Sequence, residues 1–420
     1  QRRVIGELAA DVARDRPALR LVQGDVGSGK TVVAAAAMLA AARAGRQAAL
    51  MAPTELLAEQ HGANLARWLA PLGIETVLLA GAKGRKKERA QNLARVAGGQ
   101  AAIVVGTHAI FQEGVEFKDL AVVVVDEQHR FGVQQRLALR DKGPEGAAPH
   151  QLVMSATPIP RTLAQTLYAD LDVSVIDELP PGRTPITTVV IGANRRDEIL
   201  ARIGTACREG RQAYWVCTLI EESDEVEAQA AAATAEKLRE ALPDVRVGLV
   251  HGRLKPDAKE VEMRDFKDGR TQLLVATTVI EVGVDVPNAS IMVIDNAERL
   301  GLAQLHQLRG RVGRGAAASQ CVLLYQHPLS NAAKARLDVM RETTDGFRIA
   351  QADLDLRGPG ELLGRRQTGL VGLKIADPVR DARLIPPLQQ LADQWLDRWP
   401  LDAQRLIRRW VGDVEKYARV

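Results

Sequence analysis

The stretch GDVGSGKT decides the fold, and it consists of Gly24, Asp25, Val26, Gly27, Ser28, Gly29, Lys30 and Thr31. It follows the apolar run Leu19–Val22 and precedes the Ala-rich stretch Val32–Ala42. A G-x-x-x-x-G-K-T sequence between a strand and a helix predicts a phosphate-binding loop. Its glycines let backbone N–H groups turn toward phosphates, and the helix that follows adds its dipole. We expect Lys30 to contact the β and γ phosphates and the Thr31 hydroxyl to bind Mg²⁺; a chance Gly-rich turn is the alternative.

Short apolar runs recur after this loop and predict a parallel β-sheet. They are nearly continuous instead of alternating, which is typical of strands covered on both faces. Amphipathic stretches such as Glu55–Leu69 and Lys86–Val96 separate them and predict crossover helices. The first half of the chain contains the runs Leu19–Val22, Ala48–Met51, Thr76–Leu79, Ala101–Val105, Ala121–Val125 and Gln151–Met154.

The pattern stops at a Pro-rich stretch, Asp177–Thr188, and then starts again, which predicts a linker between two domains. The second set of runs is Gln212–Val216, Val245–Val250, Gln272–Ala276, Ser290–Ile294 and Gln320–Leu324. After residue 330 the apolar runs give way to charged helical sequence. We therefore predict an α/β protein with lobes at residues 1–180 and 181–330 and a helical extension at 331–420. In this extension we expect Trp395, Trp399 and Trp410 to anchor a core; platforms for stacking nucleic-acid bases are the alternative.

Composition limits the classes of protein that this chain can be. Its 420 residues carry a net charge of +4, with 46% hydrophobic and 3% aromatic residues, which excludes a disordered chain and permits contact with nucleic acid. The longest apolar run, Val32–Ala42, is too short to cross a bilayer. The three cysteines, Cys207, Cys217 and Cys321, form no CxxC pair, so we expect a reducing, cytoplasmic location. Because the chain starts at Gln1, we also expect a piece of a longer protein.

Two acidic residues follow the all-Val run Val122–Val125. Carboxylates at the carboxyl end of a buried parallel strand lie in the crevice where open α/β sheets bind ligands. We expect Asp126 to hold Mg²⁺ and Glu127 to orient and polarise the attacking water. A merely solvated strand end is the alternative.

The other half of the chain contributes cations in the stretch His306–Arg314, HQLRGRVGR. Arg311 and Arg314 are three residues apart, so on a helical turn they point the same way. Guanidinium groups stabilise the charge that spreads over the oxygens of a transferring phosphoryl group. The alternative is a basic surface turn. If the arginines act on the phosphate loop, the site is complete only when the two lobes meet.

These three motifs resemble those of superfamily 2 helicases, and further blocks appear in the family's order. The blocks are Ala52–Leu56, Val105–His108, Ser155–Thr157, Val250–Arg253 and Ala276–Asp285. The resemblance implies two RecA-like parallel-sheet lobes, with ATP and Mg²⁺ between them and nucleic acid across their top. It also implies that Gln1, Gly283 and Asp285 contribute to the nucleotide site.

The same resemblance implies a set of backbone contacts to nucleic acid. Hydroxyl, amide and guanidinium groups bind phosphates without reading bases. The implied residues are Thr54, Thr107, His108, Arg253, Thr277 and Gln367. For any single Thr, capping at a strand end is the alternative.

Within the superfamily the chain is similar to the RecG family of branch-migration DNA helicases. The specific stretches are DEQHRFGV (Asp126–Val133), SATPIPRTLA (Ser155–Ala164), AYWVCTLIEES (Ala213–Ser223), AERLGLAQLHQLRGRVGRG (Ala297–Gly315) and a helical-hairpin sequence at Asp345–Gly369. The resemblance implies a 3′-to-5′ ATP-dependent motor on double-stranded DNA that remodels replication forks and Holliday junctions, without the family's N-terminal wedge domain in this chain. Single-stranded-DNA-binding protein is a further implied partner, and we expect a monomer with no membrane attachment. Two alternatives remain, a transcription-repair coupling translocase and a nucleotide-switched DNA clamp without turnover.

Overall fold

The computed structural model describes residues 1–14, 16–25, 27–79, 86–112, 114–127, 143, 148–156, 171–178, 185–218, 224–277, 286–315, 317–357, 381 and 384–411. Within these ranges the chain forms two parallel sheets, each flanked by helices, and a group of helices after the second sheet. The predicted fold class, two RecA-like parallel-sheet lobes followed by helices, is confirmed.

The first lobe contains a seven-stranded sheet in the order β3-β4-β2-β5-β6-β1-β7, with every neighbouring pair parallel. The sheet is covered on both faces, and three of its strands are buried at every position, which explains their uninterrupted apolar sequences. The strands are β1 (Leu19–Gly24), β2 (Gln47–Met51), β3 (Thr76–Leu79), β4 (Ile103–Gly106), β5 (Leu120–Asp126), β6 (His150–Ser155) and β7 (Leu171–Ile176).

The described part of the first lobe contains four α-helices, three on one face of the sheet and one on the other. One face packs against the first three helices through a core that includes Leu8, Met38 and Leu65. The other face packs against the fourth helix through Val96, together with Ile110 of a short 3₁₀ helix. The helices are α1 (Arg2–Val12), α2 (Lys30–Arg43), α3 (Glu55–Leu69) and α4 (Lys86–Ala97).

The second lobe contains a six-stranded parallel sheet in the order β10-β11-β9-β12-β13-β8. Counted from its own first strand, this order equals that of the first six strands of the first lobe. The strands are β8 (Thr187–Gly192), β9 (Gln212–Cys217), β10 (Val247–Val250), β11 (Leu273–Ala276), β12 (Ala289–Asp295) and β13 (Gln320–Tyr325), and the helices are α5 (Arg196–Arg208), α6 (Asp224–Ala241), α7 (Pro256–Lys267) and α8 (Leu302–Arg309).

Two features of the sheets differ from the sequence-based expectation. β7 lies in no predicted run, because its alternating sequence LDVSVI lies at the sheet edge, where only some positions are buried. β8 begins inside the stretch assigned to the linker, since Thr187 and Thr188 already pair with Gln320 and Cys321 of β13.

The C-terminal part consists of α9 (Asn331–Glu342), α10 (Gly346–Arg357), α11 (Ile385–Arg398) and α12 (Pro400–Val411). The first two pack on each other and on α8, and Leu337, Met340 and Ile349 join the core of the second lobe.

The prediction that the tryptophans anchor a core is wrong: Trp395, Trp399 and Trp410 are 38%, 51% and 48% exposed. Among the described helices, none combines the length and apolarity needed to cross a membrane.

Candidate nucleotide site between the two lobes

The phosphate loop joins the end of β1 to the start of α2. Gly27 and Gly29 have φ angles of 82° and 91°, a left-handed conformation that residues with a Cβ atom rarely adopt. The Lys30 ammonium lies inside the loop and donates hydrogen bonds to the carbonyl oxygens of Gly24 (2.6 Å) and Asp25 (3.0 Å). Burial lowers the pKa of Lys30, although the carboxylates around it act in the opposite direction. The loop therefore has the backbone shape and the partly buried cation that a polyphosphate requires.

Gln1 packs directly against this loop. Its side-chain amide donates to the carbonyl oxygen of Ser28 at 2.8 Å. A Cβ atom on Gly29 would lie 2.1 Å from the same amide nitrogen, so any other residue there would displace the Gln1 side chain in addition to straining the backbone angle. Gln1 thus contacts the loop that we predict to hold the phosphates.

The acidic pair lies at the carboxyl end of β5, next to the loop. Asp126 is the last residue of the strand and is largely buried. Glu127 has a φ angle of 53°, uncommon for a residue with a Cβ atom, and its N–H donates to the carbonyl oxygen of Met154 at 3.0 Å. Burial, followed by the neighbouring Asp126, raises the pKa of the Glu127 carboxyl, and Lys30 and Arg311 partly oppose this rise. Two carboxylates and one ammonium group therefore share one electrostatic environment.

The second lobe brings its arginines to this environment. Arg311 and Arg314 follow α8, and Arg311 is 8% exposed. The charge of Arg311 lowers the pKa of Glu127, and the charge of Arg314 lowers the pKa of Lys30. The charges of arginines in one lobe therefore act on the acid–lysine group of the other lobe.

A histidine that the sequence did not single out joins the two lobes directly. The Nε2 atom of His306, in α8, lies 3.0 Å from Oδ1 of Asp25 in the phosphate loop. The ring is 4% exposed, and its Nδ1 atom lies 3.3 Å from a guanidinium nitrogen of Arg309. Arg309 in turn donates to the carbonyl oxygens of Met340 (3.0 Å) and Thr343 (2.9 Å), where α9 ends. A continuous polar chain thus runs from the phosphate loop to the C-terminal helices.

The described residues fit a magnesium–nucleotide complex. Mg²⁺ prefers oxygen ligands and is usually held by one or two protein oxygens together with phosphate oxygens and water. Thr31 lies in the first turn of α2, and Asp126 ends the strand beside the loop. Thr31 and Asp126 thus supply oxygen ligands suited to the ion, and the loop N–H groups and Lys30 supply hydrogen-bond donors suited to the phosphates.

The comparisons with known proteins agree with this geometry. Residues 1–166 match the DEAD/DEAH box helicase family, residues 196–316 the helicase conserved C-terminal domain, and residues 343–405 the C-terminal part of domain 3 of the ATP-dependent DNA helicase RecG. Over 420 residues the chain is 63% identical to the ATP-dependent DNA helicase RecG of Escherichia coli (strain K12) and 59% identical to that of Haemophilus influenzae. The chain belongs to the RecG family. These matches cover the whole chain and 60% of the length of each relative.

Solved structures show the same relationship for this RecG-family chain. A RecG bound to a three-way DNA junction superposes with a TM-score of 0.76 at 43% identity, covering 91% of this chain and 49% of that one. The Saccharomyces cerevisiae protein Dbp5, bound to RNA and ADP BeF3, superposes with a TM-score of 0.58 at 18% identity, covering 84% of this chain and 87% of that one. The second likeness concerns the fold alone.

The residues that the RecG-family resemblance assigned to nucleic acid lie at carboxyl ends of neighbouring strands. Thr54 follows β2 and Thr107 follows β4, while Arg253 and Thr277 follow β10 and β11. His108 and Arg253 are exposed, whereas Thr107 and Thr277 are buried. The Thr54 hydroxyl caps the N-terminus of α3 by accepting a hydrogen bond from the N–H of Leu57 at 3.4 Å. The predicted site residues Val26, Gly283, Asp285 and Gln367 lie outside the described residues.

Sequence reasoning also missed His61. This residue of α3 is buried, and its Nε2 atom lies 2.8 Å from Oδ2 of Asp126. The two residues are 65 positions apart, and only the packing of α3 on the face of the sheet brings them together. The sequence signal was an isolated histidine on an amphipathic helix, which predicts no contact with an acidic strand end.

Proposed function

We propose that this chain is the ATP-hydrolysing motor of a RecG-type DNA helicase, which moves on double-stranded DNA and drives branch migration and fork regression. The observation that carries the proposal is the contact between the lobes at the phosphate loop, where Nε2 of His306 in α8 lies 3.0 Å from Oδ1 of Asp25, and α8 leads directly into Arg311 and Arg314. Hydrolysis at such a site depends on how the lobes meet, so turnover is coupled to their movement.

Each charged group at the site has a distinct proposed role. Lys30 binds the β and γ phosphates of ATP, and Thr31 and Asp126 hold Mg²⁺, which neutralises phosphate charge when bound. Glu127 accepts a proton from the attacking water, which needs the ionised carboxylate. Arg311 and Arg314 stabilise the charge that develops on the terminal phosphoryl group. Gln1 and the glycines keep the loop in its binding shape.

The proposed motor transmits this chemistry to DNA through two routes. The first is the polar chain from Asp25 through His306 and Arg309 to the end of α9. The second is the set of strand-end residues in both lobes, which we propose bind the sugar–phosphate backbone: Thr54, Thr107, His108, Arg253 and Thr277, with Gln367. Branched double-stranded DNA is the proposed substrate, because the solved RecG relative is bound to a three-way junction.

The remaining assignments also stay proposals. We propose lobes at residues 1–180 and 181–330, a helical translocation unit at 331–420, and a monomer that works with bacterial DNA in the cytoplasm. Single-stranded-DNA-binding protein is a proposed partner. The transcription-repair coupling translocase is less favoured, because residues 343–405 match the RecG domain. A clamp without turnover would need neither Glu127 nor the arginines opposite it.

ATP turnover of this chain with forked, linear and no DNA tests the proposal. We expect hydrolysis that DNA stimulates and that Lys30→Ala abolishes. Stimulation that is equal for forked and linear DNA would refute junction recognition by this chain while leaving the motor intact. Hydrolysis that is unaffected by DNA, or by Lys30→Ala, would refute the motor itself.

A further inference from the structure

His61 and Asp126 form a buried pair between a helix and a strand. His61 is 7% exposed and Asp126 is 9% exposed, and the Nε2···Oδ2 distance is 2.8 Å. This distance is that of a strong, charge-assisted hydrogen bond. Because both groups are shielded from water, the contact fixes the orientation of the carboxylate.

The direction of this hydrogen bond follows from the chemistry of the two groups. An ionised carboxylate only accepts hydrogen bonds, so His61 donates from Nε2. In a neutral imidazole the other nitrogen, Nδ1, then carries no proton. Nδ1 is buried and has no hydrogen-bond partner among the residues that the structure describes. The ring is therefore committed to Asp126 at one atom and makes no second polar contact within that part of the chain.

The position of His61 suits it to act on Asp126 and not on the nucleotide directly. It lies two turns into α3. Leu57, Ala58 and Leu65 of this helix pack into the core of the first lobe and fix the helix in place. Partners that orient a metal-binding carboxylate normally change metal affinity or activity by about 10–100-fold when they are removed. A histidine held by a packed helix is a rigid version of such a partner.

We propose that His61 is a positioning residue that holds Asp126 in the orientation in which it binds the magnesium ion of MgATP. This proposal rests on the proposed function, since it assumes a magnesium–nucleotide complex at the loop. His61 keeps one carboxylate oxygen engaged, so Asp126 presents the other oxygen to the ion or to its water.

Equilibrium binding of fluorescent ADP, with and without Mg²⁺, tests this role without requiring turnover. The variants are His61→Leu, which keeps bulk but no donor, and His61→Gln, whose amide nitrogen replaces Nε2. His150→Leu is the matched control, because His150 is a partly buried histidine of the same lobe whose Nδ1 accepts a hydrogen bond from the N–H of Ala18 at 3.2 Å. Thermal unfolding confirms that each variant is folded.

We expect Mg²⁺ to strengthen ADP binding by wild type and the control equally, and by roughly 10–100-fold less in His61→Leu. His61→Gln should recover most of this gain, and binding without Mg²⁺ should be the same in all four proteins. An unchanged gain in His61→Leu, or an equal loss in both His61 variants, would overturn the proposal. If His61→Leu fails to fold, His61→Gln against His61→Asn, whose shorter amide does not reach Asp126, gives the same test. A wild-type protein with no Mg²⁺ effect would instead contradict the proposed function.

Discussion

The six strands of the second lobe repeat the order of the first six strands of the first lobe, but the phosphate loop with Lys30 lies in the first lobe. Each places an aspartate at the carboxyl end of its fifth strand, Asp126 in β5 and Asp295 in β12. Each aspartate precedes a residue in the left-handed conformation, Glu127 with φ 53° and Asn296 with φ 50°. The same backbone arrangement is thus present at both strand ends, so the two ends differ in their side chains and not in their fold.

The difference lies in the cation that faces each aspartate. In the first lobe Lys30 lies in a loop that leads into a helix N-terminus. In the second lobe Arg196, at the start of α5, occupies the corresponding region and binds Asp295 directly at 2.8 Å, with its guanidinium 4.8 Å from the ring centre of Trp215. The second aspartate is therefore neutralised inside its own lobe. The charges of Arg311 and Arg314 in this lobe act instead on Glu127 and Lys30 of the first lobe.

The largest predicted effect concerns Arg311, the arginine of the second lobe whose charge acts on Glu127 of the first lobe. Arg311→Ala should lower kcat for DNA-stimulated ATP hydrolysis by ~10³ or more, because the transition-state charge loses its guanidinium partner. Arg196→Ala, an arginine of the same lobe that faces inward, should leave kcat unchanged. Similar losses in both variants, measured by phosphate release, would show that general damage to the second lobe is responsible.

Glu127→Gln should lower kcat by ~10²–10⁴, since the amide cannot accept a proton. The same type of change at the matching strand end, Asp295→Asn, should have no comparable effect on turnover.

Glu127 should also make stability depend on pH. Burial raises the pKa of Glu127 in the folded protein, so ionising this carboxyl lowers the free energy of unfolding as pH rises from the unfolded pKa to the folded one. The Gln variant should therefore melt at a higher temperature than wild type near neutral pH, and this gain should vanish at acidic pH. A lower melting temperature at neutral pH would contradict the buried charge.

The pH profile of kcat/KM should have two limbs, an acidic one set by Glu127 and an alkaline one set by Lys30. The acidic limb should lie above the range of an ordinary carboxyl group, because Glu127 must be ionised and its pKa is raised. The alkaline limb should lie below that of an ordinary lysine, because burial lowers the pKa of Lys30. Each limb should change the rate by about tenfold per pH unit. An acidic limb near pH 4 would argue against Glu127 as the proton acceptor.

Removing the Arg196–Asp295 ion pair of the second lobe should have the smallest effect on ATP turnover. Arg196→Met should lower the free energy of unfolding by about 2 kcal/mol, because the buried Asp295 carboxylate loses its partner. The double variant with Asp295→Leu should recover much of that loss. Urea unfolding measures both, and a loss of turnover without a loss of stability would mean that Arg196 serves the nucleotide site.

The sequence predicted what depends on local pattern and missed what depends on long-range packing. The phosphate loop, the acidic strand end of β5 and the parallel sheets were visible because each is encoded by contiguous residues. His61 and His306 reach partners 65 and 281 positions away, and no periodicity marks such contacts. The C-terminal tryptophans were misjudged because amphipathic spacing identifies a helix face but not whether another element covers it. Buried Thr277 likewise shows that a motif position does not fix exposure.

The central claim is that the second lobe completes a site built on the first. A structure of this chain with MgADP and beryllium fluoride tests it most directly. We predict that a guanidinium nitrogen of Arg311 lies within about 3 Å of the fluoride group that mimics the γ-phosphate, with Lys30 on the same group. A closed pair of lobes that keeps the His306–Asp25 contact, yet leaves both Arg311 and Arg314 away from that group, would contradict the account.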